Sequence, residues 1–112
     1  MSSDATDLPS GVQLDIQLLW HIGQEPEGYT VARHWIHYLY CDDDAGAAVL
    51  EAGARAGWWA VRRVAPEYHG IVAERSDLVV NPDSVFAARQ FFEALAASVP
   101  GGDYDGWEAQ TG

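Results

Sequence analysis

The stretch of sequence that decides the fold is residues 31–40, which read VARHWIHYLY. It is rich in β-branched and aromatic residues and contains neither glycine nor proline, a composition typical of a β-strand. Successive side chains of a strand point to opposite faces, and here both sets are largely apolar or aromatic. The pattern therefore predicts a central strand that is covered on both faces.

The residues directly after this strand predict a helix. The three aspartates at 42–44 favour a helix N-terminus, both as caps and because carboxylates complement the helix dipole. The helix should run to about Ala56, with Gly57 as the left-handed residue at its end. Its expected apolar face consists of Val49, Ala52 and Ala56, with Ala48 beside them.

A second helix is predicted further along the chain. Asn81 is its expected cap, Pro82 lies at the first helical position, and Asp83 lies in the first turn. Its apolar stripe consists of Val85, Ala88, Phe92, Leu95 and Val99. The remaining strand candidates are residues 58–64, 71–80 and 103–110.

The N-terminal segment 12–22 fits two structures. Its alternating apolar positions suit a strand, but the unbroken apolar run at residues 18–20 favours a helix. Ser10 is the candidate N-cap of that helix, and Gly23 would end it.

This order of elements predicts the fold class. A helix followed by β-α-β-β-α-β, with right-handed crossovers, places two helices on one face of an antiparallel sheet. We therefore predict an α+β protein, a ferredoxin-like sandwich with an added N-terminal helix, in which the first and third strands lie in the middle. Residues 1–10 are predicted to be a flexible acidic tail, and residues 11–112 a single domain.

The composition narrows the function classes. Seventeen acidic against six basic residues give a formal net charge of -11, and all six basic residues are arginine. This charge opposes direct binding to nucleic acid, and no apolar run approaches the ~20 residues of a membrane span. The opening residues carry no secretory signal pattern, and the single cysteine suits a reducing compartment. A cytoplasmic protein is the expectation.

Three groups of residues are candidates for metal binding, nucleophilic catalysis or acid–base catalysis. None of them predicts a catalytic, metal or cofactor site. His34 and His37 are three apart on the predicted strand and should point to opposite faces, which opposes a shared metal ion. The aspartates after Cys41 oppose a thiolate there. Asp103, Asp105 and Glu108 lack a recognisable substrate-binding pattern and are interpreted as an acidic turn. We therefore predict that the chain is not an enzyme.

The tryptophans are candidates for contacts with a partner. Trp58 and Trp59 are neighbours on a predicted strand and should face opposite ways, so one of them points away from the helices. If the N-terminal helix does not cover that outer face, it forms an exposed aromatic patch, typical of a partner or ligand surface. Both alternatives are left open by the sequence.

Residues 102–108, GDYDGWE, resemble the G-E-Y-D-G-W ending of the family of regulator of ribonuclease activity B, the protein inhibitors of ribonuclease E. Residues 29–35, YTVARHW, look like that family's first strand. The similarity extends over residues 14–110 and includes the acidic turn and the alanine-rich helix before an aromatic strand. The better-known members carry a long acidic extension after this ending, whereas this sequence stops at Gly112, which bears on the partner more than on the fold.

The resemblance implies a non-catalytic cytoplasmic regulator that binds a ribonuclease E/G-type endoribonuclease and restrains RNA decay. A basic partner surface suits the negative charge of this chain. The candidate partner-binding residues are Trp58, Trp59, Asp103, Asp105, Trp107 and Glu108. Trp107 also has a structural interpretation, in which it fixes the last strand to the core.

An alternative function comes from another class. Ferredoxin-like domains can dimerise through their sheets and enclose a ligand or a small monooxygenase-type site. The aromatic strands, with His34 or His37, would then line a pocket on the sheet face. This alternative requires that residues 12–22 leave that face uncovered; a weak homo-oligomer is compatible with either function.

Overall fold

The computed structural model describes residues 10–65 and 67–111. The predicted N-terminal tail lies outside these residues, except for Ser10, which is the first residue of a helix. The helices are α1 (Ser10–Gly23), α2 (Asp44–Ala56) and α3 (Pro82–Ala97), with one turn of 3-10 helix at Gly28–Thr30. The strands are β1 (Trp35–Tyr40), β2 (Ala60–Arg63), β3 (Gly70–Arg75) and β4 (Asp103–Ala109).

The chain is an α+β protein with a four-stranded antiparallel sheet and three helices. The strand order is β2-β3-β1-β4, and all neighbouring strands are antiparallel. The prediction that the first and third strands lie in the middle is confirmed, as is the helix over residues 12–22.

All three helices pack on the same face of the sheet. The β1 residues Trp35, His37 and Leu39 are buried on this face, where the ring of His37 stacks on Phe92 of α3. Helix α1 lies on the same side, because the indole of Trp107 on β4, paired with His37 across the sheet, donates to a carboxylate of α1. We call the opposite side the open face.

The open face corrects the prediction of a strand covered on both sides. Along β1 the burial alternates, and the side chains on the open face, Ile36, Tyr38 and Tyr40, are only half-buried. Their apolar and aromatic character predicts burial, but aromatic rings with a polar tip are also stable at a surface.

Strand β1 begins later than predicted. Residues 31–34 precede it and are tied to the chain before α3, where Ala32 forms an isolated bridge with Val79 and the Arg33 amide donates to the carbonyl of Leu78. The predicted strand at 71–80 is shorter for the same reason: β3 ends at Arg75, and the residues after it pair with this entry segment instead.

Helix α2 has the predicted limits but a different buried face. Asp43 caps it by accepting from the Gly46 amide. The buried residues are Gly46, Ala47, Leu50 and Ala54, whereas Val49, Ala52, Ala56 and Ala48 are exposed. The predicted face was wrong because Leu50, the largest apolar side chain of the helix, points into the core. Gly53 lies against Leu95, where an added Cβ would stand 2.4 Å from the leucine, so this glycine lets α2 and α3 approach.

The end of α2 also differs from the prediction. Gly57 has a φ of -90°, and the left-handed residue is Trp58, with a φ of +73°. The amides of Trp58 and Trp59 donate to the carbonyls of Arg55 and Ala54, which completes the helix end. Consequently neither tryptophan lies on a strand, because β2 starts at Ala60.

Helix α3 follows the prediction closely. Asn81 accepts from the Ser84 amide while the Ser84 hydroxyl accepts from the Asn81 amide, which forms a capping box with Pro82 at the helix start. The buried side chains of its stripe are Val85, Ala88, Phe92 and Ala96. Residues 103–109 form β4, so the aspartates there lie on a strand and not in a turn.

Candidate functional site

The six residues predicted to contact a partner lie in three separate places. Trp59 and Trp107 are buried, at 8% and 7% exposure. Trp58 is exposed, but it precedes β2 at the edge of the sheet opposite to β4. The three acidic residues, Asp103, Asp105 and Glu108, are exposed on β4. The acidic strand is therefore the part of the predicted set that forms a surface together.

The two buried tryptophans belong to the core on the helix side of the sheet. The ring of Trp59 packs against Trp35 and Phe92, and the guanidinium of Arg75 lies 5.2 Å from its centroid. Trp107 packs edge-on against Trp35. Because these rings expose so little surface, they can make little contact with a partner. Their positions therefore favour the structural interpretation.

Trp107 also joins a buried polar network between α1, α3 and β4. Its Nε1 donates to Asp15 at 2.7 Å, and Asp15 forms a bidentate ion pair with Arg89. Arg89 also donates to Glu93 at 2.7 Å and lies over the ring of Tyr104, 4.8 Å from its centroid. The hydrogen bond to Asp15 raises the pKa of Arg89. This network fixes α1 to the last strand.

His37 ends the same network inside the core. Its Nδ1 is 2.7 Å from the Tyr104 hydroxyl, and its Nε2 is buried without a hydrogen-bond partner among the described residues. Burial, and secondly the charge of Arg89, lowers the pKa of His37 to about 3. Burial likewise raises the pKa of Tyr104 far above its usual value. His37 is therefore a neutral core residue near neutral pH.

The open face carries a different set of polar groups. The Tyr38 hydroxyl donates to Glu108 across β1 and β4 at 2.8 Å, and this bond raises the pKa of Tyr38. On the β3 side, Glu74 accepts from His34 at 2.7 Å and from Arg62 at 3.2 Å. The bond to His34, followed by that to Arg62, lowers the pKa of Glu74. These contacts confirm that His34 and His37 lie on opposite sides of the sheet.

A pocket of about 350 Å³ lies at the end of the open face, lined by Tyr40, Tyr68 and Asp105. Tyr40 is the last residue of β1, and Tyr68, 65% exposed, lies in the connection between β2 and β3. Asp105 reaches the pocket at a β-bulge, where Gly106, with a φ of +98°, lets β4 contain one more residue than β1. Two aromatic rings and a carboxylate thus converge on one space.

A second acidic surface lies on the other side of β4. A groove of about 690 Å³ separates α1 from β4 and α3. Apolar side chains of α1, Leu14 and Leu18, form part of its wall, and Glu93, Asp103 and Asp105 contribute carboxylates. Asp105 lines both the groove and the pocket of the open face, so the acidic edge of β4 is continuous between them.

Each of the six arginines already has a partner within the protein. Ion pairs hold Arg55, Arg62, Arg63, Arg75 and Arg89. The sixth, Arg33, donates to the carbonyls of Gly28 and Gln110. By contrast, Asp103 and Asp105 have no ion pair or side-chain hydrogen bond within residues 10–65 and 67–111. Among the residues that the structure describes, no cation therefore compensates the negative charge of this edge.

Cys41 is the candidate nucleophile of the chain, and its His, Cys, Asp and Glu side chains are the candidate metal ligands. Burial, with Asp43 and Asp42 nearby, raises the pKa of Cys41, the opposite direction to that of a reactive thiolate. In the described part of the chain, no group of three or more His, Cys, Asp or Glu side chains is arranged to hold a metal ion.

Sequence reasoning missed several residues that shape this site. Tyr40 and Tyr68 were not singled out, because a pocket between residues 28 apart in sequence leaves no local pattern. Asp15 and Arg89 were also missed. A buried acidic residue within an otherwise apolar helix face is the signal that could have identified Asp15, since such a charge needs a partner.

Comparisons with protein-family models, with curated proteins and with solved structures find no match to this chain. Along the described residues, no helix has both the length and the apolar character needed to cross a membrane. The geometry of the site is therefore the main support for any functional conclusion.

Proposed function

We propose that this chain is a non-catalytic regulator that binds a basic protein surface, and that its partner is an endoribonuclease of the ribonuclease E type whose RNA cleavage it slows. The observation that carries the proposal is the acidic edge of β4, where the carboxylates of Asp103 and Asp105 are exposed and have no cation of their own. The resemblance of residues 102–108 to the ribonuclease regulators is the reason for proposing a ribonuclease as the partner.

The charge distribution supports binding to a surface that normally holds RNA. A ribonuclease must collect cations where it binds the phosphate backbone. A protein of net charge -11 is attracted to such a surface at long range, and complementary charges speed association and select among partners. Occupation of that surface excludes the RNA without any bond being made or broken.

The proposal includes a fold family and a location. The order β2-β3-β1-β4 and the element order β-α-β-β-α-β support a ferredoxin-like sandwich with an added N-terminal helix. The family resemblance supports a cytoplasmic protein, and it is the same resemblance that suggests the ribonuclease partner.

An RNA-cleavage assay with the ribonuclease of the source cell, titrated with this protein, tests the proposal. We expect inhibition that saturates and that weakens as salt is raised, since exposed charges are screened beyond about 10 Å at 0.1 M salt. The double variant Asp103→Asn/Asp105→Asn should weaken inhibition by about tenfold, which corresponds to about 1.4 kcal/mol.

The matched control is Glu27→Gln/Asp83→Asn, which removes the same charge from exposed positions that line neither the pocket nor the groove at Asp103 and Asp105. It should inhibit within about twofold of the unaltered protein, because screening limits distant charges. If the protein at low salt neither binds the ribonuclease nor slows cleavage, the proposal is wrong.

The alternative, a sheet-to-sheet dimer that encloses a ligand or small-oxygenase site, draws support from one observation. Helix α1 lies on the helix side, so the open face is not covered by residues 12–22. The histidines do not support the pocket that this alternative needs: His37 is in the core, and His34 is paired with Glu74. Sedimentation of the unaltered protein across a range of concentrations tests the dimer.

A further inference from the structure

The pocket on the open face has the composition of a cation site. The residues that line it are Tyr40, Tyr68 and Asp105, which carry two aromatic rings and a carboxylate. The faces of aromatic rings attract cations, and a carboxylate beside them adds charge and hydrogen-bond acceptors. Within the described part of the chain, no arginine reaches this space.

The same combination occurs twice elsewhere in the molecule, each time with an arginine in place. Arg75 lies over Trp59, 5.2 Å from the ring centroid, and is paired through two nitrogens with Asp77. Arg89 lies over Tyr104 at 4.8 Å and is paired through two nitrogens with Asp15. In both sites an aromatic face and a carboxylate hold one guanidinium.

We infer that Tyr40, Tyr68 and Asp105 form a receptor for one arginine side chain of the basic partner. The inference rests on the proposed function, which it deepens by naming the group that the acidic surface recognises. Its reason is the likeness of this pocket to the two occupied sites, together with the uncompensated charge of Asp105.

Arginine fits this pocket better than lysine does. A guanidinium is planar, so it can stack on a ring while its edge donates two hydrogen bonds to one carboxylate. An ammonium is compact and strongly hydrated, and it loses more water when it enters a site between two rings. Anionic side chains are repelled by Asp105, and neutral side chains can donate a hydrogen bond to it but form no ion pair.

The experiment is a nuclear magnetic resonance titration of the full chain with a small probe, acetyl-Gly-Arg-Gly-amide, at low salt. Two matched probes replace the arginine with lysine or with citrulline, which is nearly the same shape but uncharged. We expect the arginine probe to shift the amide signals of Tyr40, Tyr68 and Gly106. The lysine probe should bind several-fold more weakly, and the citrulline probe should leave these signals unchanged.

Variants then separate the pocket from the general charge of the protein. Tyr68→Ala removes an exposed cation–π contact and Asp105→Asn an exposed ion pair, so each should weaken binding of the arginine probe by about two- to fivefold. Tyr68→Phe keeps the ring and should bind within about twofold of the unaltered protein. Glu27→Gln removes one charge elsewhere and should also leave binding unchanged. Because Tyr68 and Asp105 are exposed, these changes leave the core intact.

The inference is overturned if citrulline binds as well as arginine, or if Glu27→Gln weakens binding as much as Asp105→Asn does. Failure of the proposed function gives a different result. If the probe binds at the pocket but the protein never slows the ribonuclease, the arginine receptor stands and the ribonuclease partner is wrong. If inhibition is normal in Asp105→Asn and Tyr68→Ala, the ribonuclease proposal stands and the receptor is wrong.

Discussion

Polar and aromatic residues lie on both faces of the sheet, but their environments differ. On the helix side, His37, Tyr104 and Arg89 form a connected network in which His37 and Arg89 are buried and Tyr104 is partly buried. On the open face, Tyr38 and Tyr40 are also partly buried and stand near carboxylates. Both faces carry tyrosines, and the helix side in addition buries an imidazole and a guanidinium.

A charged side chain that has no partner within its own chain is a candidate contact for another molecule. On the helix side the buried charges of Asp15 and Arg89 pair with each other, since a buried charge needs a partner. On the open face Glu74 is paired with Arg62 and His34. At the β4 edge, by contrast, Asp103 and Asp105 form no ion pair among the described residues, so water solvates them and a partner can use them. Substitutions on each face test this difference.

Asp15→Asn should cause the largest loss of stability. It removes the charge that pairs with the buried Arg89, and such a loss typically costs about 3–5 kcal/mol. We expect the lower end of that range, because Glu93 still accepts one hydrogen bond from Arg89. The free energy of unfolding in urea, followed by tryptophan fluorescence, measures the effect.

The control for this change is Asp77→Asn, which removes an exposed carboxylate from Arg75. An exposed ion pair contributes about 0–1 kcal/mol, so the control should be nearly as stable as the unaltered protein. Equal losses in the two variants would contradict the contrast between buried and exposed pairs.

Removing one hydroxyl from each face compares the faces directly. Tyr104→Phe leaves the buried Nδ1 of His37 without its partner, for which a loss of about 1–3 kcal/mol is expected. Tyr38→Phe removes a surface hydrogen bond to Glu108 and should change the free energy of unfolding by at most about 0.5 kcal/mol. A larger loss for Tyr38→Phe would mean that the open face is structural.

The buried imidazole predicts a pH dependence of stability. Burial lowers the pKa of folded His37 to about 3, whereas in the unfolded chain it is near 6.5. As the pH falls below 6.5, the unfolded state binds a proton that the folded state does not bind until about pH 3. The stability from neutral His37 is complete above pH 6.5 and is lost on acidification, by up to about 1.4 kcal/mol per pH unit.

Urea unfolding between about pH 6.5 and pH 5 measures this slope, because ordinary carboxylates titrate mostly below that window. His37→Phe keeps an aromatic ring against Phe92 and should flatten the slope, whatever its own stability. An unchanged slope in this variant would show that His37 is not the group responsible.

Trp58 predicts an effect of the opposite sign, in which one substitution relieves strain. A bulky residue in the left-handed conformation costs about 1–2 kcal/mol, and glycine avoids that cost. Trp58→Gly should therefore be about 1 kcal/mol more stable than Trp58→Ala, as measured by urea unfolding. Equal stability would show that the strain is negligible. If Trp58→Gly is more stable than the unaltered protein, the exposed indole is retained at a cost in stability.

Local patterns were enough to predict most of the elements. The β-branched and aromatic composition of residues 31–40 predicted the central strand, and Asn81 with Pro82 predicted the start of α3, because strand composition and helix capping are local properties of the sequence. The buried face of α2 was predicted wrongly. Val49 and Leu50 are adjacent, so several faces satisfy the helical period, and only the packing beneath Leu50 selects one.

Fewer residues of the candidate site could be predicted from local sequence patterns. Asp15 and Arg89 are 74 residues apart, and no spacing rule joins them. Gly57 satisfied every local rule for the left-handed residue at the end of α2, yet Trp58 holds that position because Trp59 must reach the core. Whether the face that carries Tyr38 and Tyr40 is covered depends on where α1 packs, which the sequence left undecided.

The two outer strands of the sheet have one further consequence. A bare strand edge is a template on which other chains can add strands and grow into fibrils. Here β2 has only four residues and ends in two arginines, while β4 carries aspartates and is bent at Gly106. Short length, charge and a bulge all hinder strand addition. We expect the protein to resist amyloid growth when concentrated, and a binding partner to reach it through side chains rather than by extending the sheet.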